Sequence, residues 1–457
     1  MSRLILFITI LTFLSLKFYS LDIDTAIKIA LENREELKIL SNQIELQSKV
    51  VKSKFLNFFP VVLVGVENSK EAFYTINSNT YNMLSSLEIN YSIYDSGYRF
   101  FETKAEQVKV DLLRLEFEQK RREIEYKTKA YFYDVLLYKN IVELRSNEVE
   151  KALSEKNKIE TLYKEGLSDF LSFKTTEYYY NFSVLNYKSA FNSFVERLEL
   201  LKNYLKINYD EIEVYGILIK EEKFLDYTND LRIDYINKSI SFKNYQLLKY
   251  ISSLDWQVNF FFNLTGQRYF TDYSTRQREN YFYFGVKVYF PLFDWLSFEV
   301  TPNYRKDFIP YNETTIDTGK LTFLDYLSQP YYYDRKSLGG KIKLFDNNNK
   351  NIHTKEIILN YKKEVEELEA QMLEYRSEFI RIKEKFEELE LGIFSASNMI
   401  ELAKLNYEKD RILFENGKKT ALDLLESKTK IIEAEVNYLK SIYEYNLFAW
   451  KIQANCD

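Results

Sequence analysis

Side chains able to do catalytic or metal chemistry are scarce in this sequence. His353 is the only histidine and Cys456 the only cysteine among 457 residues. A zinc site needs several His, Cys or carboxylate ligands, and Ser-His or Cys-His catalysis needs a histidine beside its nucleophile. A lone histidine on a helix is ordinarily a surface residue. We therefore predict no catalytic, cofactor-binding or metal-binding residues, and we do not expect an enzyme.

One short motif resembles the end of a phosphate-binding loop, but its context is wrong. Residues 417–420 read Gly-Lys-Lys-Thr, while the glycine required five residues earlier is missing and a helix precedes them instead of a strand. The acids of 361–391 are interspersed with Lys and Arg, as on a solvated helix face. A net charge of −5 also does not favour nucleic acid as a partner.

The first twenty residues have the layout of a secretory signal peptide. Arg3 precedes an apolar run from Leu4 to Leu16, and the predicted leader ends at Ser20. An N-terminal anchor helix is the alternative. No later stretch is apolar for about 18 residues, so no further membrane helix is predicted.

Helix-breaking residues outline the rest of the chain. No proline occurs between 61 and 290 or after 330, which permits very long helices. Apolar spacing predicts helices over 22–58, with Asp24 as N-cap, and over 98–164, 169–206, 228–253, 349–415 and 420–453. Alternation predicts strands at 61–67, 87–93, 256–264 and 286–290, with polar residues 68–82 as a connecting loop.

The two halves of the chain repeat one plan. Adding 251 to a residue number takes Gly166 to Gly417 and Asp95 to Asp346, and Leu171, Asn186 and Tyr187 find identical partners in the same way. Because equivalent breaks in long helices mark duplicated units, we predict a first repeat at 21–208, a linker at 209–227 and a second repeat at 228–457.

Residues 295–344 have no partner in the first half. Leu296, Phe298 and Val300 alternate with polar residues, which indicates an extra β-hairpin. Asp95, Asp294 and Asp346 each follow a predicted strand and are candidate strand-to-helix exits.

The combined pattern resembles the TolC family of outer-membrane efflux proteins over essentially the whole mature chain. The residues that carry the resemblance are 21–33 (LDIDTAIKIALEN), 130–134 (AYFYD), 291–294 (PLFD) and 417–427 (GKKTALDLLES).

The resemblance implies an α+β membrane protein with two tandem structural repeats per chain. Its helices would form a long coiled-coil α-helical barrel in the periplasm, and trimerisation would complete a transmembrane β-barrel in outer-membrane lipid. Four strands from each chain of a homotrimer give twelve, and the extra hairpin would raise the count to eighteen. The implied function is a passive exit duct for multidrug efflux or type I secretion, served by an inner-membrane pump and a periplasmic adaptor protein.

The resemblance also assigns roles at the hairpin turns Gly166 and Gly417, where the adaptor would dock. Asp423 and Glu426 match acids that narrow the periplasmic entrance, and Ser172 is the first-repeat counterpart of Asp423. Lys419 and Phe414 match latch positions, although Phe414 lacks the hydroxyl of the usual tyrosine. The alternative for both acids is an ordinary helix start, where negative charge is favourable.

A second class of function stays open at this point. The same helices could make a periplasmic or surface coiled-coil scaffold that carries the β segments as a small appended domain. Nor does the sequence decide between drugs, proteins and metal ions as cargo.

Overall fold

The computed structural model describes residues 19–73, 78–207, 212–221, 230–271, 277–293, 296–308, 332–344, 350–416 and 418–455. Most of the predicted leader therefore lies outside the described residues. The elements are β1 (Tyr19–Leu21), α1 (Ile23–Asn33), α2 (Glu35–Leu56), β2 (Val61–Phe73), β3 (Ser78–Tyr94), α3 (Tyr98–Lys164), α4 (Phe170–Leu205), β4 (Ile212–Val214), α5 (Leu231–Ser253), β5 (Gln257–Thr271), β6 (Gln277–Phe293), β7 (Leu296–Phe308), β8 (Tyr332–Leu344), α6 (Lys350–Glu415) and α7 (Ala421–Asn455).

The chain divides into two compact units. The helical unit comprises Met1–Asn42, Leu113–Tyr235 and Gln371–Asp457, and the sheet unit comprises Gln43–Leu112 and Ile236–Ala370. Each unit thus contains segments of both predicted repeats, because the long helices α3 and α6 contribute residues to both.

The long helices confirm the sequence prediction. Helix α3 has 67 residues and α6 has 66, and each is followed by a return helix, α4 or α7, of 36 or 35 residues. The absence of proline explains their continuity, since one proline inside a helix costs about 3 kcal/mol.

The predicted helix at 22–58 is wrong in two respects. Its N-cap is Asp22 instead of Asp24, and the Asp22 carboxylate accepts a hydrogen bond from Thr25 N at 3.1 Å. Arg34 adopts an extended backbone and separates α1 from α2. The Arg34 guanidinium donates to the Tyr204 carbonyl at 2.9 Å and lies 4.1 Å from the centre of its ring, a tertiary contact that local helix spacing does not encode.

A short parallel pair of strands joins the start of the described chain to the predicted linker. Tyr19, Ser20 and Leu21 of β1 pair with residues 212–214 of β4. Leu21 and Val214 are buried in the main core of the helical unit, where they pack with Phe132, Val135 and Leu201. The linker is therefore anchored to the core at β4.

The sheet unit contains six antiparallel strands in the order β2-β3-β5-β6-β7-β8. The predicted loop at 68–82 is wrong, because β2 extends to Phe73 and β3 begins at Ser78. Polar composition did not end these strands, since a strand needs only paired backbone groups, and the ladder continues to Phe73 and Ser78.

The extra hairpin is confirmed as β7 and β8. β7 pairs with β6 along one edge and with β8 along the other, from Leu296↔Leu344 to Phe308↔Tyr332. A strand, and not the helix predicted after Asp294, therefore follows β6. The helix α6 begins only after β8.

Candidate functional site

The first hairpin turn is a helix end closed by a left-handed glycine. Gly166 has φ +74°, its N–H donates to Tyr163 O at 3.0 Å, and Leu167 N donates to Leu162 O at 2.8 Å. This pair of bonds is the Schellman arrangement that ends many helices. An added Cβ at Gly166 would meet nothing within 4 Å, so the backbone conformation alone requires glycine.

The second turn repeats one of these bonds at the same offset in the sequence. Lys418 N donates to Leu413 O at 2.8 Å, which is the first-turn bond from Leu167 to Leu162 moved by 251 residues. Gly417 itself lies outside the described residues. The flanking geometry therefore supports the equivalence of the two hairpins.

Asp423 is engaged in the cap of helix α7. Thr420 is the N-cap, its backbone N–H and hydroxyl donate to Asp423 Oδ2 at 2.9 and 2.7 Å, and Asp423 N donates back to Thr420 Oγ1 at 3.3 Å. This is a capping box, with Asp in place of the commoner Glu. The bonds from Thr420 hold the pKa of Asp423 below its ordinary value. Glu426, one turn later, is exposed.

The first turn carries an acid that the sequence analysis missed. Asp169 is the N-cap of α4, and its carboxylate accepts from the backbone N–H of Ser172. That bond lowers the pKa of Asp169. Because Asp169 is equivalent to Thr420 and Ser172 to Asp423, each turn carries one capping carboxylate at a different position. The sequence feature that could have identified this cap is Asp169 itself, a preferred N-cap residue three positions before Ser172.

Lys419 bonds to Asp410, within its own hairpin. Lys419 Nζ donates to Asp410 Oδ1 at 2.5 Å, and the Ser427 hydroxyl contacts Oδ2 of the same carboxylate. The Lys419 bond, with help from Ser427, holds the pKa of Asp410 below its ordinary value. This triad links α6, the turn and α7. Phe414, the other residue at a predicted latch position, is 39% exposed.

The two hairpins differ in what lies between their helices. In the first hairpin, Glu148 is buried, accepts from Arg145 at 2.8 Å and from the Tyr179 hydroxyl at 3.3 Å, and burial raises the pKa of Tyr179. The equivalent positions in the second hairpin are Ala396, Met399 and Lys430. A groove of about 630 Å³ with these three residues among its lining occupies that place.

The first strand-to-helix exit is organised by Asp95. Its carboxylate accepts from Gly97 N and Arg99 N, each at 3.2 Å, and from Arg99 Nε at 2.5 Å. Arg99 also donates to the carbonyls of Asn57 and Ser92, so it ties the exit to α2 and β3. Sequence reasoning singled out Asp95 but not Arg99. Asp294 and Asp346 lie outside the described residues.

The register gives the six-stranded sheet one apolar and one polar face. Two neighbouring rows of directly paired residues lie on the apolar face. The first row contains Val64, Leu87, Leu264 and Phe282, and the second contains Val62, Ile89, Phe262, Phe284 and Tyr304. The polar face carries Glu88, Asn90, Asn259, Asn263, Lys287, Glu299, Thr301, Asn303, Arg305, Arg335, Ser337 and Lys341.

The edge strands of the sheet are exposed. Within the described part of the chain, β2 and β8 each pair on one side only, and both have 13 residues. Val64 is 77% exposed and Leu338 76%. Such long edges with unpaired backbone groups are templates for another strand.

His353, as predicted, is a surface residue on a helix, 53% exposed in its side chain, with Nδ1 3.7 Å from Glu356. In the described ranges, no three His, Cys, Asp or Glu side chains gather closely enough to hold a metal ion. None of the described helices is both long and apolar enough to cross a membrane.

No model of a known protein family matches the sequence. Solved structures do resemble the fold over almost the whole chain. CusC matches with a TM-score of 0.69 at 9% identity, covering 96% of this chain and 94% of that one. The outer membrane protein VceC of Vibrio cholerae gives 0.68 at 11%, covering 95% and 96%. The outer membrane channel CmeC of Campylobacter jejuni gives 0.62 at 14%, covering 95% and 85%.

Proposed function

We propose, given that this chain has the fold of the TolC family of outer-membrane channels, that it is an outer-membrane channel subunit and the exit duct of an efflux system. The sequence resemblance is confirmed at the level of the fold. The single observation that carries the function is the sheet, which has an apolar face, a polar face and two open edges of equal length.

Three copies would close these edges into one barrel. Open strand edges are not tolerated in lipid, and closure leaves the apolar face toward lipid and the polar face toward a lumen. The strands alternate in direction across the sheet, so β8 of one copy would meet β2 of the next antiparallel. Six strands from each of three copies give an eighteen-stranded barrel instead of twelve.

The hairpin turns would form the periplasmic end of this duct. An adaptor protein and an inner-membrane pump would dock around Gly166 and Gly417. They would also supply the energy for transport, because the chain itself offers no nucleotide-binding motif. Type I secretion is a further use of the same duct. In a trimer, Asp169, Asp423 and Glu426 would each repeat three times and make the entrance negative.

The decisive experiment is purification in detergent, followed by mass measurement and planar-bilayer recording. A trimer that conducts supports the channel. A monomer that passes no current contradicts it, and release of the protein from membranes by carbonate would favour the scaffold alternative.

The entrance has its own test. Glu426→Gln should raise conductance and weaken block by divalent cations, because it removes three exposed charges without touching a cap. Asp423→Asn should also raise conductance and weaken the block, and it should in addition weaken the cap of α7. Unchanged conductance and block in both variants would remove these residues from the gate, and Glu433→Gln, on the exposed side of α7, serves as the control.

A further inference from the structure

The groove of about 630 Å³ in the second hairpin has Met399, Ala403, Asn406 and Lys430 among its lining residues. Resting on the proposed function, which brings several copies into one assembly, we propose that Tyr178 of α4 in a second copy enters this groove. Helix α4 of one copy then packs antiparallel against α6 of the next. All of these residues belong to the helical unit.

Inside one copy, α7 packs antiparallel against α3 in a constant register. Lys428 Nζ lies 2.9 Å from Glu155 Oε2, and the rings of Tyr133 and Trp450 stack with their centres 4.6 Å apart. The two contacts are separated by the same number of residues on α3 as on α7, so one register holds over this length. This packing joins the first hairpin to the second, and each of its two helices has a counterpart in the other hairpin.

The repeat offset of 251 turns this internal packing into a packing between copies. It carries α3 forward onto α6 and α7 back onto α4, with the antiparallel register unchanged. Glu155 then corresponds to Asn406 and Lys428 to Glu177. An ammonium–carboxylate pair becomes an amide–carboxylate pair, in which Asn406 can donate to Glu177. In its own copy Tyr178 is 62% exposed, so this face of α4 is open to a second copy.

The two packings exchange large and small side chains. Inside one copy, the small side chain of Thr429 meets a first hairpin whose interior is filled, and it hydrogen-bonds with Tyr179. The offset turns Thr429 into the larger Tyr178, and it turns the filled interior into the groove. The exchanges that open the groove are Arg145 to Ala396, Glu148 to Met399 and Tyr179 to Lys430. A large side chain therefore stands opposite an open space, as close packing between copies requires.

Tyr178 is well suited to fill this space. Its ring stacks on that of Phe182, with the ring centres 6.2 Å apart, and this contact restricts the ring before it binds. A side chain that is ordered in advance loses less entropy on binding. Its hydroxyl can bond to the polar groups of Lys430 or Asn406, as the hydroxyl of a buried tyrosine usually requires.

Cysteine crosslinking in a Cys456→Ser background tests this packing. Glu177→Cys with Asn406→Cys reproduces the Lys428–Glu155 contact between copies, and a short bismaleimide should link the full-length chain into covalent dimers and trimers. Glu408→Cys is the matched control for Asn406→Cys. It lies two residues further along α6, which is about 200° around the helix, and its side chain is 52% exposed. Glu177→Cys with Glu408→Cys should therefore stay monomeric on a denaturing gel.

A graft tests the exchange of large and small side chains. Ala396→Arg with Met399→Glu puts an ion pair of the first hairpin into the groove, where Arg145 and Glu148 are the originals. This overpacking should lower the yield of covalent dimer and trimer from the Asn406→Cys pair by on the order of ten-fold. Adding Tyr178→Thr restores the combination found inside one copy, so the yield should recover. A graft that failed to fold would not be rescued by a change in another helix.

Bilayer conductance of the same variants separates this inference from the proposed function. A conducting protein that crosslinks equally through Asn406→Cys and Glu408→Cys, or through neither, would overturn the inference alone. A graft that leaves the yield unchanged, or that Tyr178→Thr does not rescue, would also overturn it. A chain that forms no channel would remove the proposed function, whatever the crosslinks show.

Discussion

Two glycines of the helical unit should respond in opposite directions to the same substitution. Gly166 has a left-handed φ, so Gly166→Ala should lower the free energy of unfolding by about 1 kcal/mol. Gly392 lies inside α6 with nothing within 4 Å of an added Cβ, so Gly392→Ala should raise it by about 0.5–1 kcal/mol.

Denaturant unfolding of the purified protein, followed by circular dichroism, would measure both effects. Gly166→Asn should be milder than Gly166→Ala, because asparagine tolerates the left-handed region better. Equal losses at positions 166 and 392 would contradict the backbone explanation.

Acid should loosen the second hairpin turn through Asp410. The Lys419 and Ser427 bonds depress the pKa of Asp410, so their stabilisation is present above the unfolded value of about 3.9 and is lost as the pH falls through the folded value. Amide-exchange protection of residues 411–427, corrected for intrinsic rates, should therefore fall below about pH 4.

Asp410→Asn is the variant that isolates this effect. It should show reduced protection already at neutral pH and lose much of the acid dependence, while Glu433→Gln should behave like the parent. An acid response that Asp410→Asn leaves intact would assign the effect to other groups, such as Asp423.

At the scale of elements, the neighbours of Gly285 in strand β6 leave no room for a side chain. A Cβ at Gly285 would lie 2.5 Å from the Phe261 ring and 2.6 Å from the Pro302 carbonyl, which is backbone and cannot turn away. Gly285→Ala should therefore destabilise the sheet by about 1–3 kcal/mol, the usual range for overpacking.

Gly340 is the matched control on the neighbouring hairpin. Its nearest atom to an added Cβ is 3.9 Å away, so Gly340→Ala should be tolerated. The midpoint of thermal unfolding of the purified protein, followed by circular dichroism, would report both variants. A lower midpoint with Gly340→Ala but not with Gly285→Ala would refute the packing argument.

The elements that the sequence predicted well are those determined by local spacing. Helices α3 and α6 follow from uninterrupted apolar periodicity without proline, and β7 and β8 follow from alternation. The break at Arg34 could not be predicted, because contacts with Tyr204, 170 residues away in the chain, hold it. The strand ends at 68–82 were missed because ladder pairing, and not composition, extends β2 and β3.

The residues of the candidate site were likewise predicted where a local rule applies and missed where distant contacts decide. Gly166 follows from the need for a left-handed residue after a helix, a local rule. Asp410 was missed, because its importance depends on Lys419 and Ser427 folding back onto α6. Asp423 was predicted as a gate residue, and its bonds with Thr420 give it a capping role that any gating role must accommodate.

At the scale of the whole molecule, the number of strands in the proposed barrel depends on which strand of one copy meets β2 of the next. If β8 is that strand, Val64→Cys should form a disulfide between copies with a cysteine on the apolar face of β8, at position 338, 340 or 342. Directly opposite Cα atoms in an antiparallel pair lie about 4.5–5.5 Å apart, within the range of about 4.4–6.8 Å that disulfides span.

The pairing is tested in a Cys456→Ser background by non-reducing electrophoresis. A covalent dimer and trimer should form with one of these partners, whereas Val64→Cys with Lys341→Cys should not crosslink, because Lys341 lies on the other face. If β6 were the edge strand, Val64→Cys would instead crosslink to Phe284→Cys, and the barrel would have twelve strands. Because β6 already pairs with β7, where Phe284 lies opposite Tyr304 with ring centres 5.4 Å apart, we expect the eighteen-stranded pairing.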